Sequence, residues 1–76
     1  MAVRTLTELL EGAFPGDAVS VEDRTGGGDH FQVTVASPSF DQLSLLDQHR
    51  RVNDALEASL LDGSIHELRI KTKGSR

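Results

Sequence analysis

The chain has no cysteine, no tryptophan and no tyrosine. Without cysteine it can form no disulfide and offers neither a thiol nucleophile nor a thiolate metal ligand, and we expect a reducing cytoplasm as its compartment. Three phenylalanines are its whole aromatic content, which leaves few rings on which nucleic-acid bases could stack. No apolar run approaches the about 18 residues that a membrane span requires, so we expect no membrane association.

A basic excess is also lacking, because eight Lys and Arg residues face 12 Asp and Glu residues and the net charge is −4. Proteins that bind nucleic acids gain much of their affinity by neutralising phosphates, so this balance argues against autonomous DNA or RNA binding. A local basic patch remains an open alternative, and the residues that could form it are Arg50, Arg51, Arg69 and Lys71. A solvated helix face is the simpler interpretation of the first two.

The first helix is predicted over Thr5–Ala13, where apolar residues recur at helical spacing. Thr5 and Glu8 have the spacing of a capping box, in which each side chain accepts a free backbone N–H of the other. The Pro15-Gly16 pair then ends the helix, since proline cannot continue it and glycine accepts left-handed backbone angles.

Two strands follow, because Ala18–Asp23 and His30–Val35 alternate apolar and polar residues. The connection Thr25–Asp29 contains three glycines and has a length seen in β-hairpins. Its glycine run lacks the Lys-Ser/Thr of a phosphate-binding P-loop and does not open a helix. A hairpin turn is therefore favoured over a phosphate cradle.

Helical spacing returns from Ser44 to Leu60, with Ser44 as the predicted N-cap and Gly63 as the C-terminal capping glycine. The apolar stripe of this second helix comprises Leu45, His49, Val52, Leu56 and Leu60. A last strand is predicted over Ile65–Lys71. The polar residues 72–76 are expected to form a frayed, flexible tail.

The element order is thus α-β-β-α-β, and we assign residues 1–76 to one small α+β domain. A helix between the second and third strands acts as a crossover, so these strands should be parallel if they are neighbours. A three-stranded mixed sheet covered on one face by helices is the economical arrangement for this length.

Three histidines carry most of the chemical interest. His66 is in phase with Leu68 and Ile70 on the predicted strand, which favours a core histidine with satisfied hydrogen bonds over a metal ligand. His30 lies at the rim of the hairpin, and His49 lies on the apolar stripe of the second helix. No histidine pair has the spacing of a helical metal site, so a complete metal site within this chain is not expected.

Catalytic patterns are missing as well. We find no nucleophile elbow, no Ser-His-Asp order in a strand-to-helix context and no carboxylate pair on an obvious cleft. The adjacency of Asp29 and His30 does not by itself indicate a catalytic site. We therefore expect a binding module and not an enzyme.

Several blocks of the sequence together resemble the BolA-like proteins. They are residues 27–35 (GGDHFQVTV), 37–40 (SPSF), 43–56 (LSLLDQHRRVNDAL) and 65–72 (IHELRIKT). The third block resembles the signature helix of the family, and the fourth resembles its closing strand. The blocks are collinear and span residues 27–72 of the 76-residue chain.

This resemblance implies a KH-like fold of the second type and a partnership with monothiol glutaredoxins. In that family the two proteins can hold a bridging [2Fe–2S] cluster, to which glutaredoxin contributes its cysteine together with glutathione. The histidine of the closing strand, His66 here, is then a metal ligand, and His30 is the candidate for a second ligand. The isolated chain is expected to be a monomer without a cofactor. Roles in stress response and transcription regulation are also implied.

Alternatives to this adaptor function stay open. A KH-like fold suggests a nucleic-acid-binding regulator, and a protein-interaction domain without a metal is a third hypothesis. Two departures from the family pattern, Gln42 and Gln48, are expected at the surface and should matter little for the fold. The terminal acidic-tryptophan helix of many members has no counterpart here, so we expect a smaller or different docking surface.

Overall fold

The computed structural model describes residues 2–74. Their elements are α1 (Val3–Ala13), β1 (Ala18–Asp23), β2 (His30–Ala36), a 3₁₀ turn (Pro38–Phe40), α2 (Leu45–Ala55), α3 (Glu57–Leu61) and β3 (Glu67–Lys73). The sheet order is β1-β2-β3, with an antiparallel β1–β2 pair and a parallel β2–β3 pair. The predicted α+β class and mixed three-stranded sheet are confirmed. Within the described residues, no helix has the length and hydrophobicity to cross a membrane.

The core lies between the helices and one face of the sheet. Alternate residues of the central strand β2 are fully buried, whereas the residues between them are only partly covered. The buried apolar side chains form one cluster. Its members come from α1 and α2 with the residues that end them, from the 3₁₀ turn, from β2 and from the segment before β3: Leu6, Leu10, Phe14, Phe31, Val33, Val35, Phe40, Val52, Leu56 and Ile65. Helices therefore cover one face of the sheet, as predicted, and the opposite face is open.

Helix α1 begins earlier than predicted, and the capping box is wrong. Ala2 occupies the N-cap position and makes no side-chain capping bond, so Thr5 lies inside the helix. Glu8 instead accepts a hydrogen bond from the Arg4 guanidinium at 3.1 Å. Arg4 and Glu8 are one turn apart, and this i,i+4 pair is the spacing at which helical side chains meet.

The predicted second helix is divided into α2 and α3 at Leu56, whose backbone angles (φ −109°, ψ 9°) are not helical. Its N–H donates to the carbonyl of Asn53 at 3.1 Å, which is the tighter bond of a 3₁₀ turn. Ser44 is the N-cap, as predicted, and its hydroxyl accepts from the N–H of Asp47. Of the predicted apolar stripe, Leu45 is exposed and His49 is only half-buried.

The glycine-rich connection is a hairpin turn, as predicted, and it is organised by one carboxylate. Gly26 and Gly28 both have φ of +77°, a left-handed conformation that glycine adopts without steric cost. The Asp23 carboxylate accepts hydrogen bonds from the N–H groups of Thr25, Gly26 and Gly28. An acidic side chain of the protein itself therefore occupies the position where a phosphate cradle would hold an anion.

Strand β3 begins and ends two residues later than predicted. Its pairing with β2 runs from His30↔Glu67 to Ala36↔Lys73, so Thr72 and Lys73 belong to the sheet and not to a frayed tail. The N–H of Ser37 also donates to the carbonyl of Lys73 at 2.9 Å. Residues 75–76 of the predicted tail lie outside the described residues.

Candidate metal centre

The parallel pairing of β2 with β3 brings two distant chain segments to one edge of the sheet. His30 lies opposite Glu67 in the register. One residue earlier in each segment, the carbonyl of Asp29 accepts from the N–H of His66 at 2.8 Å and from that of Glu67 at 3.2 Å. The backbone thus fixes the two predicted ligands, His30 and His66, as neighbours.

His66 does not face the core, which corrects the expectation drawn from its phase with Leu68 and Ile70. The chain bends at His66, and β3 begins only at the following residue. Ile65 takes the buried position, because the alternation of the strand does not extend back through the bend. The side chain of His66 is 63% exposed, so its imidazole is accessible to a metal or a partner protein.

His30 lies beside His66 on this surface. The centroids of the two imidazole rings are 6.5 Å apart, with an interplanar angle of 66°, and the side chain of His30 is 36% exposed. The third histidine, His49, lies in α2 and is not part of this group. The structure therefore brings together both of the predicted site residues.

Asp29 completes the group, and reasoning from the sequence gave it no role. Its carboxylate Oδ2 lies 3.1 Å from Nδ1 of His66 and 4.0 Å from Nε2 of His30. Among the described residues, these three side chains form the group in which one potential ligand atom from each lies within 4.8 Å of the others. Asp29 is adjacent to His30 in the sequence, but its contact with His66 depends on strand register, which no local pattern contains.

Glu67 fixes the second imidazole from the opposite side. Its Oε2 lies 3.2 Å from Nδ1 of His30, and this leaves Nε2 of that ring directed towards Asp29. Two cations flank Glu67, since Arg69 Nε lies at 3.6 Å and Arg24 Nη1 at 3.9 Å from its Oε1. The negative charge of Glu67 is thus partly balanced by two guanidinium groups, and a contact outside the group holds the orientation of His30.

The chemistry available at this edge is nitrogen and oxygen ligation. Imidazole nitrogens and a carboxylate oxygen are common ligands of borderline transition metals. All three side chains are partly open to solvent, with the Asp29 side chain 38% exposed. A bound group could therefore take further ligands from outside the chain.

The family profile described as "BolA-like protein" matches residues 13–76. The chain belongs to the BolA-like family. Over 72 residues it is 31% identical to the uncharacterized protein RP812 of Rickettsia prowazekii, an alignment that covers 95% of this chain and 92% of the relative. The resemblance found in the four sequence blocks is thereby confirmed.

Solved structures agree with the fold of this BolA-like protein. The BolA domain of SufE1 from Arabidopsis thaliana is similar with a TM-score of 0.84 and 29% identity, covering 96% of this chain and 91% of that domain. Yeast Fra2 is similar with a TM-score of 0.79 and 30% identity, covering 97% of this chain and 80% of that protein. The three-stranded sheet with helices on one face is thus shared with these relatives.

Proposed function

We propose that this BolA-like protein is an adaptor that binds a monothiol glutaredoxin and shares a bridging [2Fe–2S] cluster with it, in iron–sulfur cluster trafficking or iron sensing. The observation that carries the proposal is the pair of accessible imidazoles, His30 and His66, on one edge of the sheet. A cytoplasmic location and a role as a binding module without catalysis are parts of this proposal.

The donor set of the chain suits a shared cluster and not one of its own. Clusters of this type are held by cysteine thiolates, and histidines can replace two of them on one iron. This chain has no cysteine, so the cluster, its cargo, would need a partner for the thiolates. His66 is the more exposed of the two histidines and would be the first ligand, with His30 as the second candidate.

The ligands would be oriented by the carboxylates that contact them. A metal-ligating histidine commonly donates its other ring N–H to a carboxylate, which fixes the tautomer and the direction of the free nitrogen. Glu67 lies against Nδ1 of His30 at 3.2 Å and Asp29 against Nδ1 of His66 at 3.1 Å. Both rings could therefore offer Nε2 to a cluster while their Nδ1 atoms stay anchored.

The experiment is a visible circular dichroism spectrum of this protein mixed with a cluster-loaded monothiol glutaredoxin and glutathione. We expect a new spectrum that differs from that of glutaredoxin alone and that His66→Ala abolishes or alters. His49→Gln is the matched control, because it removes a histidine outside the site and should leave the new spectrum intact.

Two results of this experiment would contradict different parts of the proposal. A complex whose spectrum is indifferent to His66→Ala and His30→Ala would favour a protein-interaction domain without metal. An unchanged glutaredoxin spectrum with no detectable complex would overturn the adaptor function altogether.

A nucleic-acid-binding regulator is the second candidate function. One observation favours it: Arg69, Lys71 and Lys73 are exposed at alternate positions of β3, so they point to the same side of the sheet. Of these, Arg69 is already near Glu67, and the negative net charge opposes the approach of a polyanion.

A further inference from the structure

We propose that Asp29, His30 and His66 form a mononuclear binding site for a divalent transition-metal cation, best suited to Zn²⁺, in the isolated chain. In this site Asp29 is a ligand, whereas it only orients His66 in the shared cluster. No glutaredoxin, glutathione or cluster is required for this site.

The spacing of the three ligand atoms carries the proposal. Ligand bonds of about 2.0–2.1 Å in a tetrahedral zinc site place neighbouring ligand atoms about 3.3 Å apart. Oδ2 of Asp29 lies 3.1 Å from Nδ1 of His66 and 4.0 Å from Nε2 of His30. Small side-chain rotations would therefore bring the three atoms around one cation.

The donor types and the surroundings select the class of cation. Two imidazoles with one carboxylate suit Zn²⁺ and similar metals, whereas Mg²⁺ and Ca²⁺ prefer oxygen ligands alone. Glu67 contacts Nδ1 of His30, so it would serve as the outer carboxylate that commonly accompanies a ligating histidine. With three protein ligands and partial solvent exposure, a water could take the fourth position.

A cation at this site would affect the adaptor function. This consequence rests on the proposed function, whereas the zinc site itself does not. The cation and the shared cluster would both use His30 and His66, although the cation would use Nδ1 of His66 and the cluster Nε2. Nε2 of His30 would be a ligand of both, so the two could not occupy the site at once. A divalent cation would therefore compete with transfer of a cluster that uses His30.

Calorimetric titration of the metal-free, isolated protein with Zn²⁺ tests the site. We expect one equivalent to bind, and we expect Asp29→Asn to weaken binding by at least about tenfold, the lower bound for losing even an outer partner of a metal ligand. His66→Ala and His30→Ala should each weaken it at least as much. His49→Gln should leave the affinity unchanged.

A second measurement keeps the test independent of folding and of the adaptor function. Asp29→Asn retains the backbone carbonyl that accepts from His66 and Glu67, and its far-ultraviolet circular dichroism should match that of the parent. Absence of zinc binding, or equal zinc affinity in the parent and Asp29→Asn, would overturn the inference. Zinc binding without a shared glutaredoxin cluster would overturn only the adaptor function, whereas a shared cluster without zinc binding would overturn only this inference.

Discussion

At the scale of single residues, the side chain of Gln48 makes more hydrogen bonds than its position in the sequence indicates. Its side-chain amide donates to the carbonyls of Phe40 at 3.2 Å and Leu43 at 3.0 Å, and its Oε1 accepts from the hydroxyl of Thr72. The expectation that this departure from the family pattern lies at the surface is wrong, because Gln48 is half-buried. One side chain thus joins the segment before α2 to strand β3.

Gln48→Ala should lower the free energy of unfolding by about 1–3 kcal/mol, because the partly buried carbonyl of Leu43 loses its side-chain donor. The carbonyl of Phe40 keeps the backbone N–H of Leu43 as a donor. Urea unfolding followed by far-ultraviolet circular dichroism measures this change. Gln42→Ala is the matched control, because Gln42 is exposed and surface substitutions usually change stability by no more than about 0.5 kcal/mol. Equal midpoints for the two variants would contradict the assigned role of Gln48.

At the scale of elements, the hairpin could be predicted from the sequence and the last strand only in part. The bounds of β1 were predicted correctly, because the alternation of Val19 and Val21 with polar residues is local information. The bounds of β3 are set by its partner β2, which no local pattern contains. Strand register also decides that Asp29 contacts His66, so the third member of the candidate metal centre could not be predicted from spacing.

The helical elements show the same division between local and non-local information. Ser44 was predicted as an N-cap because the hydrogen bond that its hydroxyl accepts from the N–H of Asp47 is local. The break at Leu56 was missed because the apolar stripe runs through it without a proline or glycine. Leu56 is 1% exposed, so burial in the core accompanies the departure from helical angles.

Helix α1 starts without a side-chain cap, so an N-cap substitution should stabilise it. Ala2 is the N-cap, and its extended angles (φ −84°, ψ 142°) already suit a capping residue. Ala2→Ser should raise stability by about 0.5–1 kcal/mol through a bond to a free N–H of the first turn, which is about 2–8 °C in Tm for a domain of this size. Thermal unfolding measures the gain. Ala2→Val cannot cap and should give none, and an equal rise in both variants would refute the explanation.

At the scale of the whole molecule, net charge decides between the two candidate functions. With a net charge of −4, the protein can neutralise few phosphates and release few counterions. It should therefore form no stable complex with duplex DNA at about 0.15 M ionic strength. A mobility-shift titration tests this expectation. A stable complex at that ionic strength, weakened by Lys71→Glu, would contradict the prediction and favour the nucleic-acid-binding regulator.

The parallel pairing of β2 with β3 also governs when the two imidazoles of His30 and His66 become neighbours during synthesis of the chain. His30 and His66 are separated by 36 positions in the chain (66 − 30). A ribosome adding about 5–20 residues per second therefore delivers the second histidine about 2–7 seconds after the first. A nascent chain that displays only the hairpin presents a single imidazole, and the paired imidazoles exist once the last strand has docked. In the proposed adaptor, binding of the cluster would thus be reserved for chains whose last strand has docked, and a product truncated before His66 would not compete for it.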